Sequence, residues 1–239
     1  MRWGAYRGGP YVGDSQFSKV GILLHMDGAG SGGAGTLVDS SIHAAVPGFN
    51  GCSLVSSPVK FGAQSLLIST VSTSATDFIH VNDQTWFNYT TGDFTIEGWI
   101  FLTNNTHPQV LCYKNASTGV TPYGLYISAA GKLGFEGWNT VSAAAYSIVG
   151  TTTITTGAWH FVQGKRKGDL FSCTLDGGVE ASVTNVGVQL LVNAANVFFG
   201  NFGTASASSV IGNMDEWRMT QGFCRPDAVP NGPFPAHGL

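Results

Sequence analysis

The stretch TGDFTIEGWIFLT, residues 91–103, alternates so regularly that it predicts a β-strand. Successive side chains of a strand point to opposite faces of its sheet. One face of this strand is apolar apart from a glycine: Phe94, Ile96, Gly98, Ile100 and Leu102. The other face carries Glu97 beside Trp99, so it is either a ligand-binding surface or a second packed surface.

Strand-like runs recur along the whole chain, separated by Gly, Asn, Asp and Pro. They cover residues 20–26, 61–69, 77–81, 94–102, 109–114, 123–128, 132–138, 147–155, 159–166, 169–176, 179–185, 196–202 and 211–220. Only the window 82–88 predicts a helical turn. Many short strands with almost no helix predict an all-β fold, a two-sheet antiparallel β-sandwich of jelly-roll type.

Composition limits the function classes that fit this chain of 239 residues. Charged residues make up 10% of it, against about 25% in ordinary proteins. The net charge of −3 argues against nucleic acid as a partner. No apolar run reaches the roughly 18 residues of a spanning helix, and the first residues lack the apolar segment of a secretion signal. We therefore expect synthesis in a reducing cytoplasm and no membrane contact.

The four cysteines and six histidines do not form a metal-binding motif. No C-x-x-C pair occurs, and no two histidines are spaced two or four residues apart. Cys112 and Cys173 lie in strand-like runs, which predicts that they are buried thiols. Cys52 and Cys224 lie in loops, and whether they pair stays open at this stage.

The two ends of the chain differ in character from residues 19–225, which we predict to be the domain. Residues 1–18 form an arm in which glycines separate aromatic and basic residues: Arg2, Trp3, Tyr6, Arg7 and Tyr11. Such an arm docks either on a neighbouring subunit or back on its own domain. Residues 226–239 form a proline-rich tail, for which an extended conformation is expected.

The order of several segments resembles the laminin-G-like, or concanavalin A-like lectin/glucanase, jelly roll. These segments begin at residues 19, 58, 91, 157, 196 and 211 and read KVGILLHMDGAG, PVKFGAQSLLIS, TGDFTIEGWIFL, GAWHFVQGKRKGDLFSCTLDGG, NVFFGNF and IGNMDEWRMTQGFCR. The form of the domain found in phage virion proteins is the most similar. The resemblance implies a non-enzymatic structural protein of a phage tail, appendage or capsid decoration. A virion location, self-association or other virion partners, and adhesion to a host-surface glycan follow as expectations. The alternative is a stand-alone carbohydrate-binding lectin module.

The resemblance also implies a structural Ca²⁺ at the rim of the sandwich. The matching ligand positions are Asp39, in VDSS, and Asp215, in NMDEW. Calcium takes six to eight oxygen ligands. An aspartate in a serine-rich turn is equally well explained as a side chain that caps backbone N–H groups, so both interpretations stay open for Asp39.

Hydrolases also use this fold, and they make glycoside hydrolysis a second alternative, with Glu97 or Glu216 as the catalytic candidate. A glycosidase needs two carboxylates that converge from one face. No glutamate here has an acidic residue two positions away. Asp215 and Glu216 are adjacent, so a regular strand would point them to opposite faces. The expected protein is therefore not an enzyme.

Aromatic side chains supply the candidates for sugar binding, since their rings can stack on a pyranose. The candidates are Trp138, Tyr146 and Trp217. For Glu97 and Trp99 we predict a structural role instead of sugar binding. If the strand GNMDEWRM lies beside FTIEGWI, Glu97 can pair with Arg218, and Trp99 then packs over a structural ion pair.

Overall fold

The structure is a computed structural model that describes residues 13–29, 36–69, 77–115, 120–140, 143–202 and 208–238. These residues form sixteen strands and two short 3₁₀ turns, Phe17–Lys19 and Thr85–Phe87. The first eight strands are β1 Val20–Ala29, β2 Thr36–Asp39, β3 Gly48–Asn50, β4 Ser53–Val55, β5 Ser65–Ile68, β6 Phe78–Val81, β7 Phe94–Leu102 and β8 Gln109–Lys114. The others are β9 Tyr123–Ile127, β10 Lys132–Thr140, β11 Ala143–Thr153, β12 Trp159–Lys167, β13 Leu170–Leu175, β14 Gly178–Thr184, β15 Val197–Phe199 and β16 Gly212–Gln221.

The strands form two antiparallel sheets. Sheet A has nine strands, seven of them in the order β14-β13-β12-β7-β16-β1-β2, while β5 pairs with β16 and β4 pairs with β5. Sheet B has seven strands in the order β11-β10-β9-β8-β15-β6-β3. Alternate residues of the two sheets meet in one apolar core that includes Phe94, Tyr123, Phe135 and Trp217. The predicted all-β, two-sheet sandwich is therefore confirmed.

Local predictions were accurate for long strands and poor for short ones. β7 and β8 have the predicted bounds, and the turn Thr85–Phe87 lies in the window predicted to be helical. Strands β2, β3 and β4 were not predicted. Each has three or four residues among glycines and serines, which is too short for alternation to be read.

The cysteines are all free thiols, so Cys52 and Cys224 do not pair. Cys112 and Cys173 are completely buried, as predicted. Burial raises the pKa of the Cys173 thiol to about 12, despite hydrogen bonds that oppose the rise. In the part of the chain that the structure describes, there is no helix of the length and apolar character that a bilayer-spanning segment needs.

Candidate functional site

The outer face of sheet A is covered by the chain's own ends. A second apolar cluster lies on this face, away from the main core, and consists of Val20, Leu23, Trp99, Phe161 and Phe234. Phe234 comes from the proline-rich tail and is 3% exposed. At the other end of the chain, Asp14 donates its N–H to the carbonyl of His237 at 3.0 Å. Segments from both ends therefore close this face.

Beneath these segments lies a buried network of charged side chains. Arg218 donates to Glu97 from two nitrogens at 2.7 and 2.6 Å, and it also donates to Asp14 at 3.1 Å. Arg225 donates to Asp14 at 2.9 Å. Burial alone would raise the pKa of Asp14, but the hydrogen bonds from Arg225 and the Gln16 N–H, with the two guanidinium charges, hold it below its ordinary value.

The predicted pairing of Glu97 with Arg218 is thus confirmed. β7 and β16 are neighbours, and the two residues are opposite each other. Trp99 is 3% exposed and packs against Phe161 with ring centroids 5.2 Å apart, while Lys60 Nζ lies 3.8 Å from the centroid of its ring. Glu97 and Trp99 are therefore structural, and the second face of TGDFTIEGWIFLT is a packed surface.

The prediction that Asp215 and Glu216 point to opposite faces is wrong. The register between β16 and β7 shifts between Asp215 and Arg218, and Glu216 has a φ of +50°. A β-bulge of this kind places one extra residue in the strand and changes the alternation. Asp215 accepts the N–H groups of Lys60 and Phe61, and Glu216 accepts the N–H of Phe234, so both carboxylates lie on the outer face of sheet A.

Both carboxylates are buried, and the charge of Glu216 affects the pKa of Asp215. Burial raises the pKa of Asp215 to about 7, with the charges of Glu216 and Asp27 adding to the rise and two backbone N–H groups opposing it. His25 donates from Nδ1 to Glu216 at 2.9 Å. Burial lowers the pKa of His25, but Glu216, Asp27 and Asp215 outweigh burial and leave it above its ordinary value. The tail and the loop at residues 60–61 contact the two buried carboxylates, while the His25 side chain remains partly exposed.

Asp39 does not fit a calcium ligand. Its Oδ1 accepts the N–H groups of Leu23 and Ser41, each at 2.9 Å. Its Oδ2 accepts the Ser41 hydroxyl at 2.8 Å and the Ala45 N–H at 2.9 Å. A carboxylate offers about four lone-pair sites, and all four are used here. The capping interpretation therefore describes Asp39, and no group of three His, Cys, Asp or Glu side chains suited to a metal occurs among the described residues.

The outer face of sheet B has a different character, because a row of aromatic residues crosses its strands. The register places one residue of each of the seven strands in line: Gly48, His80, Phe198, Tyr113, Gly124, Glu136 and Ser147. Tyr126 lies beside this line on β9. We call His80, Phe198, Tyr113 and Tyr126, together with Glu136, the aromatic row. The neighbouring residues of each strand point into the main core.

Glycines let the rings of the aromatic row lie close to the sheet. A Cβ atom at Gly48 would be 2.2 Å from the His80 ring, one at Gly124 would be 2.4 Å from Tyr113, and one at Gly134 would be 2.3 Å from Tyr126. Each ring therefore lies over the backbone of the adjacent strand. Phe198, Tyr126 and His80 remain partly exposed, whereas Tyr113 is 4% exposed.

Polar contacts hold the acidic end of the aromatic row in place. Tyr113 donates its hydroxyl to Glu136 at 2.7 Å. Burial raises the pKa of Glu136, and the hydrogen bond from Tyr113 opposes that rise. Burial lowers the pKa of His80. The arrangement is a row of rings, tilted or edge-on to one another, that ends in a carboxyl group bonded to the Tyr113 hydroxyl.

Of the three predicted sugar-binding aromatics, the structure leaves one as a candidate. Trp138 is partly exposed on β10, two residues after Glu136, so alternation places it on the same side of the sheet. Tyr146 is 4% exposed and stacks on Phe171 between the sheets. Trp217 is fully buried in the main core. Neither of these two rings has a free face for a sugar, so the prediction that Tyr146 and Trp217 bind sugar is wrong.

The predicted assembly arm cannot be compared with the structure. Arg2, Trp3, Tyr6, Arg7 and Tyr11 lie outside the described residues. The aromatic row itself was not found in the sequence, although YGLYIS and KLGFEGW carry a signal of it. Each run has a glycine between two large residues, Gly124 and Gly134, which leaves room for a ring from the next strand.

Comparison with solved structures agrees with the fold. The binding domain of Paraclostridial Mosquitocidal Protein 1 has a TM-score of 0.64 at 14% identity, over 88% of this chain and 50% of that one. The receptor binding domain of botulinum neurotoxin D has a TM-score of 0.64 at 12% identity, over 88% and 51%. The botulinum neurotoxin serotype D ligand binding domain in complex with N-acetylneuraminic acid has a TM-score of 0.59 at 15% identity, over 88% and 49%. This chain thus spans about half the length of those structures.

Sequence comparison identifies the family. No curated protein sequence matches the chain significantly. A laminin-G-type family model, described as the concanavalin A-like lectin/glucanases superfamily, matches residues 73–229, about two thirds of the chain. This range includes β6 to β16, and thus most of both sheets and all of the aromatic row. The chain therefore belongs to the concanavalin A-like lectin/glucanases superfamily.

Proposed function

We propose that this protein is a non-enzymatic carbohydrate-binding domain that binds a glycan on the outer face of sheet B. The observation that carries the proposal is the aromatic row, since ring faces stack on the C–H faces of sugars. Glu136, the Tyr126 hydroxyl and Ser147 lie at one end of it, where they can accept and donate hydrogen bonds to sugar hydroxyls.

The row favours an uncharged sugar, because the Glu136 carboxyl group at its end would repel an acidic sugar. One structural neighbour was solved with N-acetylneuraminic acid, and others are receptor binding domains. Those descriptions support carbohydrate or receptor binding for this chain, while the chemistry of the row favours a neutral hexose over a sialic acid.

The biological setting in this proposal is a phage virion made in the host cytoplasm. The domain would be part of a tail or appendage, or a decoration protein on the capsid, and it would bring the particle to a host-surface glycan. The segments that resemble phage virion proteins occur in the same order along this chain, and this resemblance supports the setting. Immunogold labelling of purified particles is the direct measurement, and labelling of cell membranes without particles would contradict it.

Catalysis is not part of the proposal. Glu97 is paired with Arg218, and Asp215 and Glu216 lie beneath the tail. The test of this exclusion is incubation with β-glucans followed by an assay for new reducing ends. Reducing ends that appear with the wild-type chain and disappear in Glu216→Gln would favour the hydrolase alternative.

Binding is tested with a glycan array that includes neutral and sialylated glycans, followed by titration of the best ligand. We expect Phe198→Ala to weaken binding about tenfold, which corresponds to roughly 1.4 kcal/mol of binding free energy. Phe101→Ala is the matched control, because Phe101 is also partly exposed but lies on sheet A. Equal losses in both variants, or no binding to any glycan, would contradict the proposal.

A further inference from the structure

The tail after Asp227 is attached to the domain mainly at its far end. Residues 228–233 are exposed or partly exposed, and they include Pro230, Gly232 and Pro233. Phe234, which follows them, is 3% exposed. Before this segment, Asp227 pairs with Lys165 and Arg225 is buried. We call residues 228–238 the strap, and its first six residues the hinge.

Contacts at Phe234 and His237 hold the end of the strap. The Phe234 ring packs in the second apolar cluster and lies 4.0 Å from the guanidinium carbon of Arg218. The Phe234 N–H donates to Glu216 at 2.8 Å. The carbonyl of His237 accepts the N–H of Asp14 at 3.0 Å. The partners of Phe234 belong to the domain, and Asp14, the partner of His237, lies in the segment before β1.

Because none of these partners lies in the strap itself, the same contacts can form with the strap of another molecule. Exchange of an identical element between copies replaces each contact with its equivalent, so it costs little besides the loss of freedom on association. The hinge has six residues and reaches about 20 Å when extended. Its prolines favour an extended conformation, which projects a released strap away from its own domain.

Release without exchange is unfavourable, since it would leave a hydrophobic site open. The Phe234 site is lined by Leu23, Trp99 and Phe161, all of which are at most 3% exposed in the closed form. Glu216 would also lose a buried hydrogen bond. An equivalent strap is the ligand that restores both contacts at once.

We propose that the strap docks on the outer face of sheet A of a second copy of this chain. Phe234 of each molecule occupies the site beside Arg218 and Glu216 of the other, and the result is a reciprocal two-fold dimer. The closed strap of the isolated molecule and the exchanged strap of the dimer make the same contacts. The length and conformation of the hinge therefore determine which of the two forms is favoured. This inference concerns sheet A and is independent of glycan binding on sheet B.

The experiment is sedimentation velocity of the full chain over increasing concentration, with three variants. The wild-type chain is expected to show a reversible monomer–dimer equilibrium. Deletion of residues 229–231 shortens the hinge, which is expected to prevent closure on the same molecule and to shift dimer formation to at least about tenfold lower concentration. Phe234→Ala is expected to remove the dimer in both backgrounds.

Val46→Ala is the control for the competing surface. Val46 is 86% exposed, and Val38 and Ile42 in the same stretch of chain are also exposed, so this stretch could associate by itself. A wild-type chain that is monomeric at every concentration would overturn the proposal. So would a dimer that survives Phe234→Ala, or one that Val46→Ala abolishes. Because the hinge deletion retains every anchoring residue, its result is informative even if Phe234→Ala folds poorly.

Discussion

Arg218 and Glu97 belong to a line of hydrogen-bonded side chains that crosses four strands of sheet A. Thr174 on β13 donates to Gln163 on β12 at 2.8 Å, and Gln163 donates to Glu97 on β7 at 2.8 Å. Glu97 then accepts from Arg218 on β16 at 2.7 Å. All four residues are register partners and are buried. Sheet A thus has a polar outer layer that its own chain ends must cover.

Glu97→Gln is expected to lower the free energy of unfolding by about 3 kcal/mol. Removing the charge leaves the buried guanidinium of Arg218 with Asp14 as its remaining carboxylate, and breaking a buried pair costs several kcal/mol. The measurement is urea denaturation at neutral pH.

Glu180→Gln is the matched control for this change. Glu180 is partly exposed on β14 and accepts the N–H groups of Thr151 and Thr152, which a glutamine oxygen can also accept. We expect its effect to stay within about 1 kcal/mol. Similar losses for the two variants would show that the Glu97 pair has no special role.

The faces of β7 and β16 could be predicted from the sequence, whereas the bulge in β16 could not. Both strands alternate clearly, so period two gives the faces of Glu97 and Arg218, while the adjacency of the two strands was assumed and comes from the structure. The positive φ of Glu216 has no sequence signal, because glycine or asparagine is the usual residue in that conformation. One irregular residue therefore reversed the prediction for Asp215 and Glu216.

The aromatic row was missed for a topological reason. Its residues come from β6, β8, β9, β10 and β15, and the order of sheet B places β15 between β8 and β6. Residues 113 and 198 become neighbours only through that order. Sequence patterns report which face a residue occupies along one strand, but they do not report which strands are adjacent. Trp138 was found because its exposure needs only the local pattern.

Gly98→Ala is expected to destabilise the protein by about 3 kcal/mol. A Cβ atom at Gly98 would lie 2.4 Å from the Trp217 ring, in the fully packed core. Gly92→Ala is the matched control, since its Cβ would have no neighbour within 4 Å, and its effect should stay within about 1 kcal/mol. Thermal unfolding measures both.

The steric cause can be separated from a general loss of glycine. Trp217→Phe makes a smaller ring, so the double variant Gly98→Ala/Trp217→Phe should lose less stability than the sum of the single variants. Strict additivity would exclude the contact between Gly98 and Trp217 as the cause.

We expect that Asp39 does not bind Ca²⁺ and that Ca²⁺ therefore does not stabilise the protein at this residue. Asp39→Asn replaces two acceptor sites with donors, which then face the Ser41 hydroxyl and the Ala45 N–H. The expected loss is about 2 kcal/mol, and it should be the same in excess Ca²⁺ and in excess EDTA. A melting temperature that rises with Ca²⁺ in the wild-type chain, but not in Asp39→Asn, would instead support the ligand interpretation.

The raised pKa of Asp215 predicts that the free energy of unfolding falls as the pH rises. Its pKa is about 7 in the folded chain against 3.8 for an ordinary aspartate, so between these values the folded state binds more protons than the unfolded state. Stability therefore decreases with pH across that window, by up to about 1.4 kcal/mol per pH unit from this group, and the contribution is lost above pH 7. His25, whose pKa is also raised, adds a slope of the same sign.

Asp215→Asn tests this assignment, because asparagine keeps an oxygen that can accept the N–H groups of Lys60 and Phe61 without a buried charge. Urea denaturation at a series of pH values between 5 and 8 is the measurement. We expect the variant to be more stable than the wild-type chain at pH 8 and to show a shallower slope, with the remainder due to His25. A slope that is unchanged in Asp215→Asn would assign the pH dependence to other groups and would contradict the raised pKa of Asp215.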